Sequence, residues 1–157
     1  MARYSEYERN YHIGVYWEDK FTRRIKNILS NDYKLNFSKH TINQQNSTKK
    51  RNYNVHKITN ELIRNGKIIE VTFDETGFFV KTLVRITNID IDNDWCVVIQ
   101  PNKAEKTFFI KTIWINQKSD PHYTLDKDKY CTMPLSSYNC KICGKKCSLK
   151  QNNLKFL

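Results

Sequence analysis

KIIEVTFDETGFFVKTLVRIT, residues 67–87, alternates apolar and polar side chains on either side of a turn. A period of two is the mark of a strand. Over 67–73 it places Ile69, Val71 and Phe73 on one face. Asp74-Glu75-Thr76-Gly77 has turn chemistry. A second strand over 78–87 puts Phe78, Val80, Thr82, Val84 and Ile86 on one face, and Phe79, Lys81, Leu83 and Arg85 on the other. The pattern continues downstream. Asn88 to Asp94 is an acidic loop, WCVVIQ (95–100) a third strand, Pro101-Asn102-Lys103 the start of a turn, and TFFIKTIWIN (107–116) a fourth strand. Such short connections imply an antiparallel meander.

Upstream the period lengthens to that of a helix. Trp17, Phe21, Ile25, Ile28 and Leu29 make one apolar stripe over 17–30, and Lys20, Arg23, Arg24 and Lys26 lie on its outer face. Before it, Tyr4, Tyr7 and Tyr11 have helical spacing. In NFSKHTINQQNSTKKRNYN (36–54), Ser38 caps a short helix carrying His40 and Ile42. The polar run that follows has little to bury and reads as a mobile or ligand-facing loop. Asn54 caps a second main helix over 55–65, with Val55, Ile58 and Leu62 inward and Asn65-Gly66 as the stop. Helices followed by strands give an α+β domain: N-terminal helices packed on one face of a four-stranded antiparallel meander. That domain is expected over residues 1–130, with a small Cys-rich, zinc-binding C-terminal extension over 131–157.

Four of the five cysteines lie in that extension, as Cys131, Cys140, Cys143 and Cys147. Two thiolates separated by two residues grip one ion from a tight turn, and Gly144 after the second eases the bend. The other two complete a tetrahedral sulfur shell for a structural zinc; a variant uses His122 in place of Cys131. Lys141, Lys145 and Lys146 offset the charge of the thiolates. Cys96, in a strand, reads as a small core residue.

The net charge of +11 points to an acidic partner, either nucleic acid or an acidic protein. No apolar run approaches the roughly 20 residues of a membrane helix, so no membrane partner is expected. MARYSEYERN lacks a signal-peptide core, and an odd cysteine count argues against a full set of disulfides; a cytoplasmic location is the expectation. A Walker loop, GxGxxG and HExxH are all absent, which leaves nucleotide hydrolysis and metalloprotease chemistry without support.

The stretches FSKH (37–40), ITNELIRNGKIIEV (58–71), FVKTLVRI (79–86) and FIKTIWIN (109–116) give the order His-bearing segment, helix into strand, strand, strand. Residues 36–130 thereby resemble the small bacterial toxins of the RelE and BrnT type and related barnase-like ribonuclease folds. The resemblance implies a basic cleft on the sheet that binds RNA and metal-independent endoribonuclease chemistry. It puts His40 in the helix place, Arg85 in the middle-strand place, and Lys111 or Thr112 in the last-strand place. Such cleavage needs a base for the ribose 2′-hydroxyl, an acid for the leaving oxygen and cations for the phosphate. His40 and His122 can be acid and base, with Arg85 and Lys111 as the clamp; Asp120, two residues before His122, is placed to orient its imidazole. Arg23, Arg24, Lys50, Arg51 and Lys81 are the candidate nucleic-acid-binding cations, with aromatics such as Tyr53, Trp95 and Trp114 interleaved among the basic residues. The competing expectation is a small non-enzymatic phage or mobile-element protein that binds and inhibits a host nuclease or defence complex.

Overall fold

The computed structural model describes residues 9–12, 19–47, 54–74, 78–119, 139–140, 145–146 and 155–156. The meander is there as β3 (Lys67–Phe73), β4 (Phe79–Ile86), β5 (Asn93–Asn102) and β6 (Thr107–Gln117), each antiparallel to the next. It is the centre of a larger sheet. β1 (Arg9–His12) pairs antiparallel with β3, and β2 (Lys34–Phe37) pairs parallel with β6. The result is a mixed six-stranded sheet in the order β1-β3-β4-β5-β6-β2, not a four-stranded antiparallel one. Both added strands satisfy backbone groups that would otherwise line an open edge of the meander. Tyr11, expected on a helical stripe, lies in β1 at the register of Val71.

Two bulges break the period-two reading of β3 and β4. The register shifts between Ile68 and Glu70, and again between Thr72 and Phe73. A bulge moves the residues beyond it to the opposite face. Ile69 therefore joins Leu83 and Cys96 on the second face, away from Val71 and Phe73. Phe79 turns the other way and enters the main core beside Val84 and Ile86. Phe78, expected on the same face as Val84 and Ile86, stands 47% exposed. Cys96 is fully buried, as a small apolar residue would be.

The main core lies on one face of the sheet. Val71, Phe73, Val84, Val97, Ile99, Phe108 and Ile110 meet Ile25, Ile28 and Leu29 of α1 (Asp19–Leu29) there. α2 (Lys39–Ser47) follows β2, and Ser38 caps it by accepting from the Thr41 N–H at 3.0 Å. This helix takes up part of the polar run expected to be a loop. The helix expected over 55–65 is divided. Asn54 caps a 3-10 turn over Val55–Lys57, Ile58 is extended, and Thr59 accepts from the Leu62 N–H to start α3 (Asn60–Asn65). A threonine that caps offers the backbone a local alternative to continuing the helix. The break turns Ile63 fully inward and leaves Leu62 half-buried.

Gly66 ends α3 without the left-handed bend that a C-terminal glycine often supplies, since its φ is −71°. Space is the reason for it. A Cβ there would run into Val84 Cγ1 and lie 3.2 Å from the Arg85 carbonyl oxygen. The glycine lets α3 press directly on β4. Gly66→Ala is expected to destabilise the fold by about 1–3 kcal/mol through overpacking, read as a lower denaturant midpoint with an unchanged slope.

Candidate nucleic-acid interface

β2 lies between two groups of exposed cations. Leu35 and Phe37 point into the core, while Lys34 and Asn36 stay exposed. Parallel pairing sets Lys34 opposite Thr107 and Phe37 opposite Ile110. The Lys34 N–H donates to the Lys106 carbonyl at 3.1 Å, joining the start of β2 to the β5–β6 turn. Lys106 holds a left-handed φ of 52° in that turn. Lys34, Lys103 and Lys106 are all exposed there, as are Arg23, Arg24 and Lys26 on α1.

Between α1 and the β5–β6 turn lies a cleft of about 580 Å³. Arg24, Asn27 and Ile28 of α1 line it, with Asn31, Tyr33, Lys103 and Phe156. No carboxylate lines it among the described residues. The carboxylate beside Tyr33 in sequence, Asp32, is paired with Arg64 at 2.8 Å. Tyr33 is held from two sides. Its ring sits 5.0 Å from that of Phe108, and its carbonyl accepts from Asn60 Nδ2 at 3.0 Å. Phe156 comes from the chain's end. The Phe79 N–H donates to the Lys155 carbonyl at 2.8 Å, and the Phe156 ring packs against Phe73 and Phe79. The Arg24 guanidinium lies over that ring, 5.5 Å from its centre.

At the far end of β2, roughly 13 Å along for four residues of strand, the chain enters α2. Ser38 Oγ donates to the Lys111 carbonyl at 2.7 Å, and Thr41 Oγ1 donates to the Ile110 carbonyl at 3.2 Å. Lys111 is the residue a bulge inserts in β6, since Ile99 pairs with Ile110 and Val98 with Thr112. The bulge leaves Lys111 exposed close to the start of α2, where Lys39 and His40 are also exposed. Sequence reasoning missed His56, whose exposed ring meets Phe37 edge-on at 5.3 Å.

Arg85 plays a different part from the one expected. It is 5% exposed, and its Nε donates to Asp94 Oδ2 at 2.6 Å. Its Nη2 donates to the Gln117 carbonyl at 3.2 Å. Asp94 is 4% exposed and also accepts from Lys118 Nζ at 2.8 Å. The guanidinium is thus committed to a buried ion pair that ties β4 to β5 and β6. Arg85 pairs in register with Cys96, and Cys96 with Trp114, three residues along β6 from Lys111. Lys81, at the register of Thr72, shares the second face with Leu83, opposite the face on which α1 packs. It does not join Arg23 and Arg24. His122, Lys50 and Arg51 lie outside the described residues.

Cys131, Cys143 and Cys147 also lie outside them. Of Cys140 the structure describes the backbone: β7 (Asn139–Cys140) pairs antiparallel with β8 (Lys145–Lys146), with Cys140 opposite Lys145. No helix among the described residues is long and apolar enough to cross a membrane. No family model matches the chain, and neither a curated protein nor a solved structure matches it.

Burial alone would raise the pKa of Asp94, yet hydrogen bonds from Lys118 and Arg85 and their charges hold it below 3.8. A depressed folded pKa gives stability that is complete above the unfolded value and is lost as pH falls through the folded one. Acid unfolding should therefore include a contribution from Asp94 that fades below about pH 3.9. Asp94→Asn should remove that contribution and lower stability at neutral pH by about 3 kcal/mol or more, because it strands a buried guanidinium. Unfolding curves at neutral and acid pH check both.

Proposed function

We propose that this chain is an RNA-binding protein that lays an unpaired strand along its β2 edge. The observation that carries the proposal is the joining of separate cations by the fold. Arg24 and Lys103 line one cleft, Lys34 is bonded to the turn that carries Lys106, and Lys39 and Lys111 lie at the other end of β2. A row of cations along an edge follows the phosphates of a polyanion. Among the described residues the exposed large apolar side chains, Phe78, Ile91 and Phe109, lie on separate segments, so a protein-docking patch there has less support.

The toxin-ribonuclease resemblance remains a reading of the sequence order of the His40-bearing segment, helix and strands. The proposal is for binding. The clamp expected from Arg85 is committed to Asp94, and His40 and Lys111 alone do not complete an acid–base pair with its electrostatic support. In fluorescence anisotropy, a short unstructured RNA should bind at low salt. The logarithm of affinity should fall linearly with that of salt, by about 0.7 per phosphate contacted. Lys34→Gln with Lys106→Gln should weaken binding severalfold and flatten that slope. No binding at low salt, or binding indifferent to salt, overturns the proposal. Incubation in EDTA reads cleavage in the same samples: products formed by wild type and lost in His40→Ala would add catalysis to binding.

We also propose that Cys131, Cys140, Cys143 and Cys147 hold a structural zinc. The antiparallel pairing of Cys140 with Lys145 supports it, because it brings the two ends of the Cys-x-x-Cys-Gly stretch side by side. The ion would supply folding energy to a segment poor in apolar residues. Metal analysis of reduced protein should find about one zinc per chain, and Cys143→Ser should lose it. Metal-free protein with an unchanged fold would exclude the site.

A further inference from the structure

We infer that the cleft between α1 and the β5–β6 turn is a subsite for one unpaired nucleotide. Its phosphate would be held by Arg24 and Lys103 and its base seated against Tyr33 and the amides of Asn27 and Asn31. The inference deepens the RNA-binding reading and rests on it for the strand from which that nucleotide comes.

Size comes first. A volume of about 580 Å³ falls within the roughly 300–1,000 Å³ of pockets that enclose small ligands. It has room for a base and its sugar-phosphate, and it opens to solvent beside the cations that would follow a strand. Charge comes next. Among the described residues two cations line the cleft and no carboxylate does, which favours an anion. Arg24 is the better organised of the two. Its guanidinium carbon lies 5.5 Å from the centre of the Phe156 ring, and that ring is packed in turn against Phe73 and Phe79. A guanidinium offers a fork of N–H groups that matches two phosphate oxygens. Lys103, on a turn, adds a point charge able to adjust to it.

The remaining walls suit a base better than a bare phosphate. Tyr33 presents an aromatic ring packed against that of Phe108, and its backbone carbonyl is held by Asn60. Asn27 and Asn31 carry amides, which both donate and accept and so can meet the polar edge of a base. Asn31 Nδ2 already donates to the Ile28 carbonyl at 3.0 Å, which fixes the side chain from behind. Aromatic surface, amides and cations in one recess are the ingredients by which proteins hold splayed-out bases of single strands.

The test uses the full chain with three probes: inorganic phosphate, uridine 5′-monophosphate and a short unstructured RNA, with the DNA of the same sequence as a fourth arm. The monophosphate should bind more tightly than phosphate. Arg24→Gln and Lys103→Gln should each weaken its binding about tenfold, the loss expected for one charge-assisted contact. Lys67→Gln removes an equal charge from β3, outside the cleft, and should leave its binding unchanged. RNA carrying thiouridine should crosslink to the peptide that contains Tyr33. Phosphate binding as tightly as the monophosphate would overturn the base-binding part. Suppose RNA binding weakens in the Lys34 and Lys106 variants but not in Arg24→Gln or Lys103→Gln. The subsite is then wrong while the RNA-binding reading stands. A monophosphate bound through Arg24 with no RNA bound would keep the subsite as a site for free nucleotides and end the broader reading. Failure to bind any probe ends both.

Discussion

The parallel seating of β2 against β6 is the constraint on which the proposed binding surface depends. Four residues make this contact, and everything on either side of it follows. Its start brings Tyr33 to the ring of Phe108 and Lys34 to the carbonyl of Lys106. Its end delivers Ser38 and Thr41 to the carbonyls of Lys111 and Ile110, which fixes the first turn of α2 and the place of His40. A parallel pair cannot be closed by a hairpin. α2, α3 and the first three strands of the meander lie between β2 and β6 in the chain, while α1 carries the chain from β1 at one edge of the sheet to β2 at the other and packs on the core. The residues that leave α1 to reach β2 are the ones that wall the cleft.

The two faces of the sheet have separate work. The main core carries the helices and the larger apolar side chains. The second face is held by a smaller cluster, Ile69, Leu83 and Cys96, and by the Arg85–Asp94–Lys118 ion network. A buried pair of this kind gives little net stability over apolar residues of the same size, but breaking it is costly. Its value here lies in register: Arg85 on β4 reaches Asp94 on β5 and the Gln117 carbonyl on β6, and a slip of one residue would unpair all three. An arginine with that duty is a part of the scaffold, so the proposal for a ligand rests on other cations, those of α1, the β2 edge and the β5–β6 turn.

The chain's end has a part in the same surface. Phe156 closes an aromatic group with Phe73 and Phe79 and supports Arg24. The segment carrying Cys131, Cys140, Cys143 and Cys147 lies between β6 and this residue in sequence. A metal-tied extension would therefore also shorten the effective length of chain whose ordering the docking of Phe156 must offset.

Local pattern alone established the four strands of the meander, the apolar stripe of α1, the cap that Ser38 gives α2 and the strong positive charge. Each is written within a few neighbouring residues, where periodicity and side-chain-to-backbone bonds act. It misplaced Ile69 and Phe79, because a bulge adds one residue to the count and the alternation it disturbs leaves no mark in composition. It could not give β1 or β2, whose four residues gain their shape from partners far along the chain. Nor could it show that Arg85 is buried against Asp94, or that Arg24, Tyr33, Lys103 and Phe156 wall one cleft. Ser38 and Lys111 are 73 residues apart when they bond. Contacts at that separation are decided by how the whole sheet closes its edges and buries its apolar face, and only the tertiary structure holds that information.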